Sequence, residues 1–302
     1  MKSVTETGNI GGKKVLVRVD WSTSQVDKFR IDTSMPTIDY LLGAGAEVIL
    51  ATHGDTKDLG QFVPNGAKLL PNLRDNEGEE KNSASFAKEL SKYADIYVNE
   101  AFSASHRKHA SIVGVPKILP SYAGFRFIEE VNALSKAFNP PHPALLILGG
   151  AKIDTKLPLV KKFSKIADSI FIGGAMVKDA LGFIHDEKVF FSNNPGELDA
   201  DDKTLEVLRE KISEAEFIVW NGPLGKYEDG YAKYTHGLAI MLAESGKEVI
   251  VGGGDTLAAI HELGLQNRFT FTSTGGGAML DFLANETLPW IEALGYICLY
   301  FF

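Results

Sequence analysis

A single cysteine, Cys298, occurs in 302 residues, so no disulfide can form within the chain and a reducing compartment is expected. Long apolar runs are missing as well. No stretch approaches the ~18 residues of a membrane span, and the opening MKSVTETGNIGGKK carries no apolar segment of the secretory kind behind its first lysine. The expectation is a cytoplasmic protein that keeps clear of membranes. Excess positive charge is also lacking: 31 Lys and Arg face 39 Asp and Glu, a formal net charge of −8, which argues against a nucleic-acid binder. There is no low-complexity block and no short-period repeat. With 44% hydrophobic and 23% charged residues, neither a disordered nor a collagen-like chain fits.

What is present is unevenly charged. Residues 1–138 hold 17 bases and 17 acids, leaving 14 bases and 22 acids for the remainder. An anion site therefore has to be a local basic cluster, because the overall field repels anions. Length alone points to about two domains at ~100–200 residues each.

Short aliphatic or β-branched runs alternate with helical patterns. Lys14–Val19, Glu47–Ala51 and Ile96–Asn99 read as buried strands, with helices expected over Met35–Leu42 and Ser83–Leu90. The pattern returns with strands over Ala144–Leu148, Ser169–Ile172, Phe217–Trp220, Glu248–Val251 and Phe269–Thr272, and helices over Leu205–Ile212 and Gly237–Glu244. Alternation at this spacing predicts an α/β chain with parallel sheets and crossover helices. Two prolines in Asn139–His142 stop a helical run from Phe127 to Phe138 and mark a boundary.

In open α/β sheets, ligands gather beyond the carboxyl ends of the strands, and the polar segments lie there. The first half offers Arg18 and Asp20, then Thr52 and His53, then the run from Asn99 to His109 with His106 and Arg107; Arg30 adds a further guanidinium. Such a collection suits a small anion, since guanidinium groups bind carboxylate and phosphate in bidentate fashion. In the second half glycines take the same positions: Gly149 and Gly150 before Lys152, Gly173 and Gly174, Asn221 to Gly225, Gly252 to Gly254 before Asp255 and Thr256, and Gly275 to Gly277. Glycine lets backbone amides approach a phosphate, and a helix start behind it adds favourable partial charge. Five such turns in one half predict a nucleotide polyphosphate site. Neither a P-loop motif nor a dinucleotide fingerprint occurs. His106 and His109 lack a third ligand nearby and are not read as a metal site, and Cys298 is read as a packed small hydrophobe.

On these segments the chain resembles the phosphoglycerate kinases. KKVLVRVD, RIDTSMPTIDYLL, EVILATH, EGEEKN, ADIYVNEAFSASHRKHASIVGV, LLILGGAKIDTK, IFIGGAMV, FIVWNGPLGKYE, VIVGGGDTLAAI and FTSTGGGAMLDFL occur in the family's order. The resemblance implies two Rossmann-like three-layer α/β/α domains joined by a helix and hinge. Residues 1–126 with a C-terminal return over 286–302 would bind the acid, 127–138 would form the interdomain helix, and 139–285 would bind Mg²⁺ with ATP or ADP. Arg30, Lys152, Gly254 and Gly277 would serve the transferring phosphoryl group. Asp20, Ser22, Arg30, His53, Arg107 and His142 would line the acid substrate. Gly150, Lys152, Lys156, Gly174, Asn221, Glu228, Gly252, Gly253, Gly254, Asp255 and Thr256 would hold the nucleotide, with Asp255 serving the magnesium ion. The implied reaction is reversible transfer between ATP and the carboxylate of 3-phosphoglycerate, as hinge closure unites the two halves.

The chain also departs from the pattern. His53 is followed by Gly54, Asp55 and Thr56 where the family continues Leu-Gly-Arg, and His142 stands where a second rim arginine is expected. Ser22 replaces an asparagine, Thr155 an aspartate, and Asp201 with Asp202 replace Gly-Pro. Blocks are missing between His53 and Gly78 and between His185 and Leu198. An acyl-phosphate-forming kinase for another small acid, and a catalytically weak nucleotide-binding homologue, therefore stand as alternatives. The greasy tail from Gly295 and Trp290, where a glycine is expected, predict an intramolecular return and a monomer, with a dimer contact as the other reading.

Overall fold

The computed structural model describes residues 1–21, 25–54, 56–151, 153–182 and 184–296. The chain divides into two compact units, Met1–Asn132 with Asn285–Phe302, and Ala133–Ala284. Each carries one sheet in which every strand pairing is parallel.

In the first unit the strands are β1 (Lys14–Arg18), β2 (Glu47–Ala51), β3 (Ala67–Leu69), β4 (Ile96–Asn99) and β5 (Ser121–Ala123), ordered β3-β2-β1-β4-β5. Beyond an exposed first residue, β1 and β2 are buried throughout, and β4 is buried along its whole length. That is why they read as unbroken apolar runs: a parallel sheet covered on both faces has no polar side to alternate with. The strands β3 and β5 escape the sequence pattern because three residues at a sheet edge are too few to set a period. The helix expected over Met35–Leu42 in fact runs over Gln25–Gly43 and passes through Pro36. The helix carries Pro36 in its interior, where a proline supplies no backbone donor.

Trp21 shows how the end of β1 is fixed. Its ring is buried, its Nε1–H donates to Ser34 Oγ at 2.8 Å, and its amide donates to Thr52 Oγ1 at 3.1 Å, tying the segments after β1 and β2 together. At the other end of the chain, Trp290 on the helix Pro289–Ala293 is buried. Its ring lies 4.5 Å from that of Phe127, and its amide donates to the Ser105 carbonyl at 3.4 Å. The returning segment is thus part of the first unit's core.

The second unit contains β6 (Ala144–Leu148), β7 (Ser169–Ile172), β8 (Val189–Phe191), β9 (Phe217–Asn221), β10 (Glu248–Gly252) and β11 (Phe271–Thr272), ordered β11-β10-β9-β6-β7-β8. The central β6 and β9 are buried along their whole length. Helices Leu157–Phe163, Asp202–Glu214, Lys233–Glu244, Gly254–Glu262 and Gly277–Asn285 follow strands in turn. The two acids that break the family's Gly-Pro pattern have local work to do. Asp201 caps the helix Asp202–Glu214 by accepting the Thr204 amide at 2.8 Å, and Asp202 sits in the first turn, where the helix dipole favours an acid.

Strand order reverses beside β1 in the first sheet and beside β6 in the second. A crevice opens at such points beyond the carboxyl ends of the strands.

Candidate active site

In the first unit, Asp20 follows β1 by two residues and faces Arg30 on the helix Gln25–Gly43. Arg30 Nη1 lies 3.2 Å from Asp20 Oδ2, and the Ser103 hydroxyl donates to the same oxygen. Burial opposes charge on Asp20, yet Arg30, Arg18 and the Ser103 hydroxyl together hold its carboxyl below the usual carboxylate range. His53, two residues beyond β2, is buried. Burial and the nearby Arg18 push it down to about 2, against the pull of Asp20, with Arg74 and His109 adding to the descent. It is a neutral imidazole at physiological pH. His109 stacks edge-on against it, ring centroids 5.1 Å apart, and is likewise lowered, by burial first and then by Arg107 and Arg18, against Glu79.

The loop after β4 is shaped by its own side chains. Asn99 donates to Ser105 Oγ at 2.8 Å and accepts the Ala101 amide at 2.9 Å, which turns the chain so that Ser103, Arg107 and His109 reach the rim. Asp20, Arg30, His53 and Arg107 from the sequence reading are thus brought into one neighbourhood. Arg18, also offered by the sequence, and Arg74, which the sequence reading did not single out, join them. Arg18 is buried at the end of β1, and Arg74 acts on His53 while pairing with Glu80 at 3.2 Å. Arg74 was missed because it follows β3, the strand the sequence pattern does not reveal. The rim therefore carries four guanidinium groups beside two neutral imidazoles, a setting for a multiply charged anion.

The second unit gathers its polar groups at the ends of β6, β7, β9 and β10. Lys156 is buried, and burial lowers its pKa while Asp255 works to raise it. Gly174 has a φ of 73°, and a Cβ there would fall 2.6 Å from the nitrogen and oxygen of Gly150, so these turns approach backbone to backbone and only glycine fits. Thr256 Oγ1 accepts the Gly222 amide at 2.9 Å, linking the turn after β9 to the helix after β10. Asn221 is buried, and its Nδ2 lies 3.7 Å from Met279 Sδ. Gly253 precedes the helix Gly254–Glu262, and a Cβ on Gly276 would lie 3.5 Å from its Cα. The turn before the helix Gly277–Asn285 therefore packs on the turn before Gly254, and two helix starts stand side by side. Asp255 and Glu228 are exposed. Although its side chain reaches solvent, partial desolvation beside the cradle raises the pKa of Asp255, Glu228 raises it further, and Lys156 opposes both.

Gly150, Lys156, Gly174, Asn221, Glu228, Gly252, Gly253, Gly254, Asp255, Thr256 and Gly277 thus share one end of the second sheet. His142 does not. It precedes β6, at the opposite end of that strand, and bonds Asp168 at 2.7 Å. Ser22 and Lys152 lie outside the described residues, as does Cys298. Among the described residues no group of three or more His, Cys, Asp or Glu is arranged to hold a metal ion. No helix among them is long and apolar enough to cross a membrane.

Comparison with known proteins gives one consistent family. The phosphoglycerate kinase family model matches residues 56–189 and 185–286. The phosphoglycerate kinase of Coprothermobacter proteolyticus is 34% identical, the alignment covering 94% of this chain and 96% of that protein; that of Finegoldia magna is 33% identical, with 95% and 97% covered. The first alignment spans 379 positions against 302 residues here, so blocks present in the relative are absent from this chain. Among solved structures, phosphoglycerate kinase from Pyrococcus horikoshii superposes with a TM-score of 0.83 at 27% identity, covering 98% of both chains. That from Coxiella burnetii gives 0.77 at 27%, covering 97% of this chain and 98% of the other. A family model over most of the chain and relatives a third identical along nearly all of it agree, and the chain belongs to the phosphoglycerate kinase family.

Proposed function

We infer that this phosphotransferase moves a phosphoryl group reversibly between ATP and the carboxylate of 3-phosphoglycerate, giving an acyl phosphate and ADP. The observation that carries the reading is the Asp20–Arg30 pair at the end of β1, in a chain whose family affiliation covers nearly its whole length. Asp20 spends one carboxylate oxygen on holding Arg30, and a guanidinium held in place can meet equatorial phosphoryl oxygens with little reorganisation. His53 and His109, kept neutral, remain able to accept as well as donate hydrogen bonds. Arg18, Arg74 and Arg107 supply charge for the phosphate already on the acid.

On the nucleotide side, amides at Gly253, Gly254 and Gly277 would receive the phosphates, with Lys156 pairing to phosphate oxygens and Glu228 to the ribose. The resemblance gives Lys152 the part of following the phosphoryl group. A magnesium ion fits a donor set of one carboxylate plus phosphate oxygens, its usual arrangement. Asp255 would hold it: partial desolvation and the neighbouring Glu228 outweigh Lys156 there and leave that carboxylate short of positive charge. When bound, the ion neutralises charge on the phosphates. No covalent intermediate is needed, because transfer of this kind rests on positioning and charge neutralisation. The same reading makes the enzyme a cytoplasmic monomer that binds small molecules rather than nucleic acid.

The test is ATP consumption across a panel of small phosphorylated and unphosphorylated acids. Turnover confined to 3-phosphoglycerate supports the reading. Turnover with another carboxylic acid alone, or with none, overturns it.

A further inference from the structure

Arg18 is wholly enclosed and yet not fully used. Its Nε donates to Ser111 Oγ at 3.0 Å, its Nη1 donates to the Val19 carbonyl, and its Nη2 finds no hydrogen-bond partner among the described residues. The Ser111 hydroxyl in turn donates to Glu79 Oε1, and the Ser111 amide donates to Glu79 Oε2 at 2.9 Å. Glu79 is fully buried too. A guanidinium and a carboxyl, both cut off from water, are therefore bridged by one hydroxyl.

For stability alone, direct two-point contact between Arg18 and Glu79 would satisfy more of both groups. The serine bridge instead fixes the guanidinium along its Nε side and leaves Nη2 without a hydrogen-bond partner among the described residues. Other enclosed polar atoms nearby are in the same state. The Nδ1 of His53 and the hydroxyl of Tyr97 lack hydrogen-bond partners among the described residues, and Arg18 acts on both groups. His109, edge-on to His53, brings Nδ1 to 3.8 Å from Glu79 Oε1. A buried donor without an acceptor is costly. Several in one place are a cost that a network built for stability alone would not carry.

We propose that Glu79 and Ser111 are positioning residues for the acid substrate: Glu79, through the Ser111 hydroxyl, holds the enclosed guanidinium of Arg18 beside Asp20 and His53, so that its charge backs the rim that receives the substrate's anionic end. The proposal rests on the reading that the first unit binds a phosphorylated acid. Neither residue touches the substrate; both act through Arg18.

The experiment compares the full chain with Ser111→Ala, Ser111→Thr and Glu79→Gln. Michaelis constants for 3-phosphoglycerate and for ATP are measured separately, along with the shift in Tm that inorganic phosphate produces. Ser111→Ala is expected to raise the KM for the acid about tenfold while kcat and the KM for ATP stay within about twofold. Ser111→Thr, which keeps the hydroxyl, restores most of the loss, and the phosphate-dependent Tm shift shrinks in Ser111→Ala. An unchanged acid KM with a lowered Tm would make the bridge purely structural and overturn the proposal. Equal rises in both Michaelis constants, or like behaviour of the alanine and threonine variants, would do the same. Should Ser111→Ala fail to fold, Glu79→Gln decides by the same readings. If the wild type turns over no 3-phosphoglycerate, the functional reading falls. The Tm shift then still decides the network: a full shift in Ser111→Ala contradicts it and a diminished one supports it.

Discussion

Arg30 Nη1 lies 3.2 Å from Asp20 Oδ2, and the Ser103 hydroxyl donates to that same oxygen. The acid is thus a holder for the guanidinium as much as a contact in its own right. Asp20→Asn keeps the shape and removes the charge that anchors Arg30. It should lower kcat/KM for 3-phosphoglycerate about 10- to 100-fold, in line with one lost charge-assisted contact, and leave the KM for ATP unchanged. Steady-state kinetics with each substrate varied in turn provides the check.

Glycine variants separate construction from catalysis in the cradle. A Cβ on Gly174 would lie 2.6 Å from Gly150 backbone atoms at a φ of 73°, whereas one on Gly254 would meet nothing within 4 Å. Gly174→Ala should therefore cost about 2–4 kcal/mol of stability. Gly254→Ala should leave the thermal midpoint within a degree or two while raising the KM for ATP, because the added methyl stands where a phosphate approaches. Differential scanning calorimetry paired with nucleotide kinetics distinguishes the two.

The histidine rim sets an acid limit on stability. Folded His53 is held neutral down to about 2, whereas the free side chain takes up a proton near 6.5. Its contribution is complete above pH 6.5 and is lost as pH falls below that value, by up to ~1.4 kcal/mol per pH unit. His53→Asn should flatten this part of the pH–stability curve between pH 6.5 and 4.5. A curve of unchanged slope would contradict the assignment.

Glu100 acts in the opposite direction. It is buried against Gly124, accepts the Thr37 hydroxyl at 2.8 Å and the Arg126 amide at 3.1 Å, and is raised to about 8, burial outweighing those hydrogen bonds. The unfolded chain releases this proton near 4.5, so the penalty is absent below that pH and grows as pH rises toward 8. Glu100→Gln should gain on the wild type across that window, by up to ~1.4 kcal/mol per pH unit. Urea unfolding at pH 5 and pH 8 measures the gain.

How much of this was legible in the sequence depended on burial. Strands enclosed on both faces, such as β4 and β6, announce themselves as apolar runs, and the glycine turns announce the cradle because backbone contact at Gly174 admits no side chain. The three-residue edge strands β3 and β5 left no period to read, and Arg74 was lost with β3. Resemblance placed His142 on the rim, but it precedes β6, at the end of that strand opposite the glycine cradle, and bonds Asp168 there. The loss of an arginine after His53 suggested an eroded rim. Arg18, at the end of the buried β1, and Arg74, in the turn after the edge strand β3, keep it cationic, and the second could not be placed without that strand.

The central claim is that one guanidinium, held by Asp20, carries transfer from ATP to a phosphorylated acid. Its most direct test is the rate of ATP consumption that 3-phosphoglycerate stimulates, measured for the wild type and for Arg30→Ala at equal folded concentration. The account predicts clear stimulation in the wild type and a loss of at least about 100-fold in the variant. Stimulation that survives in Arg30→Ala would contradict it.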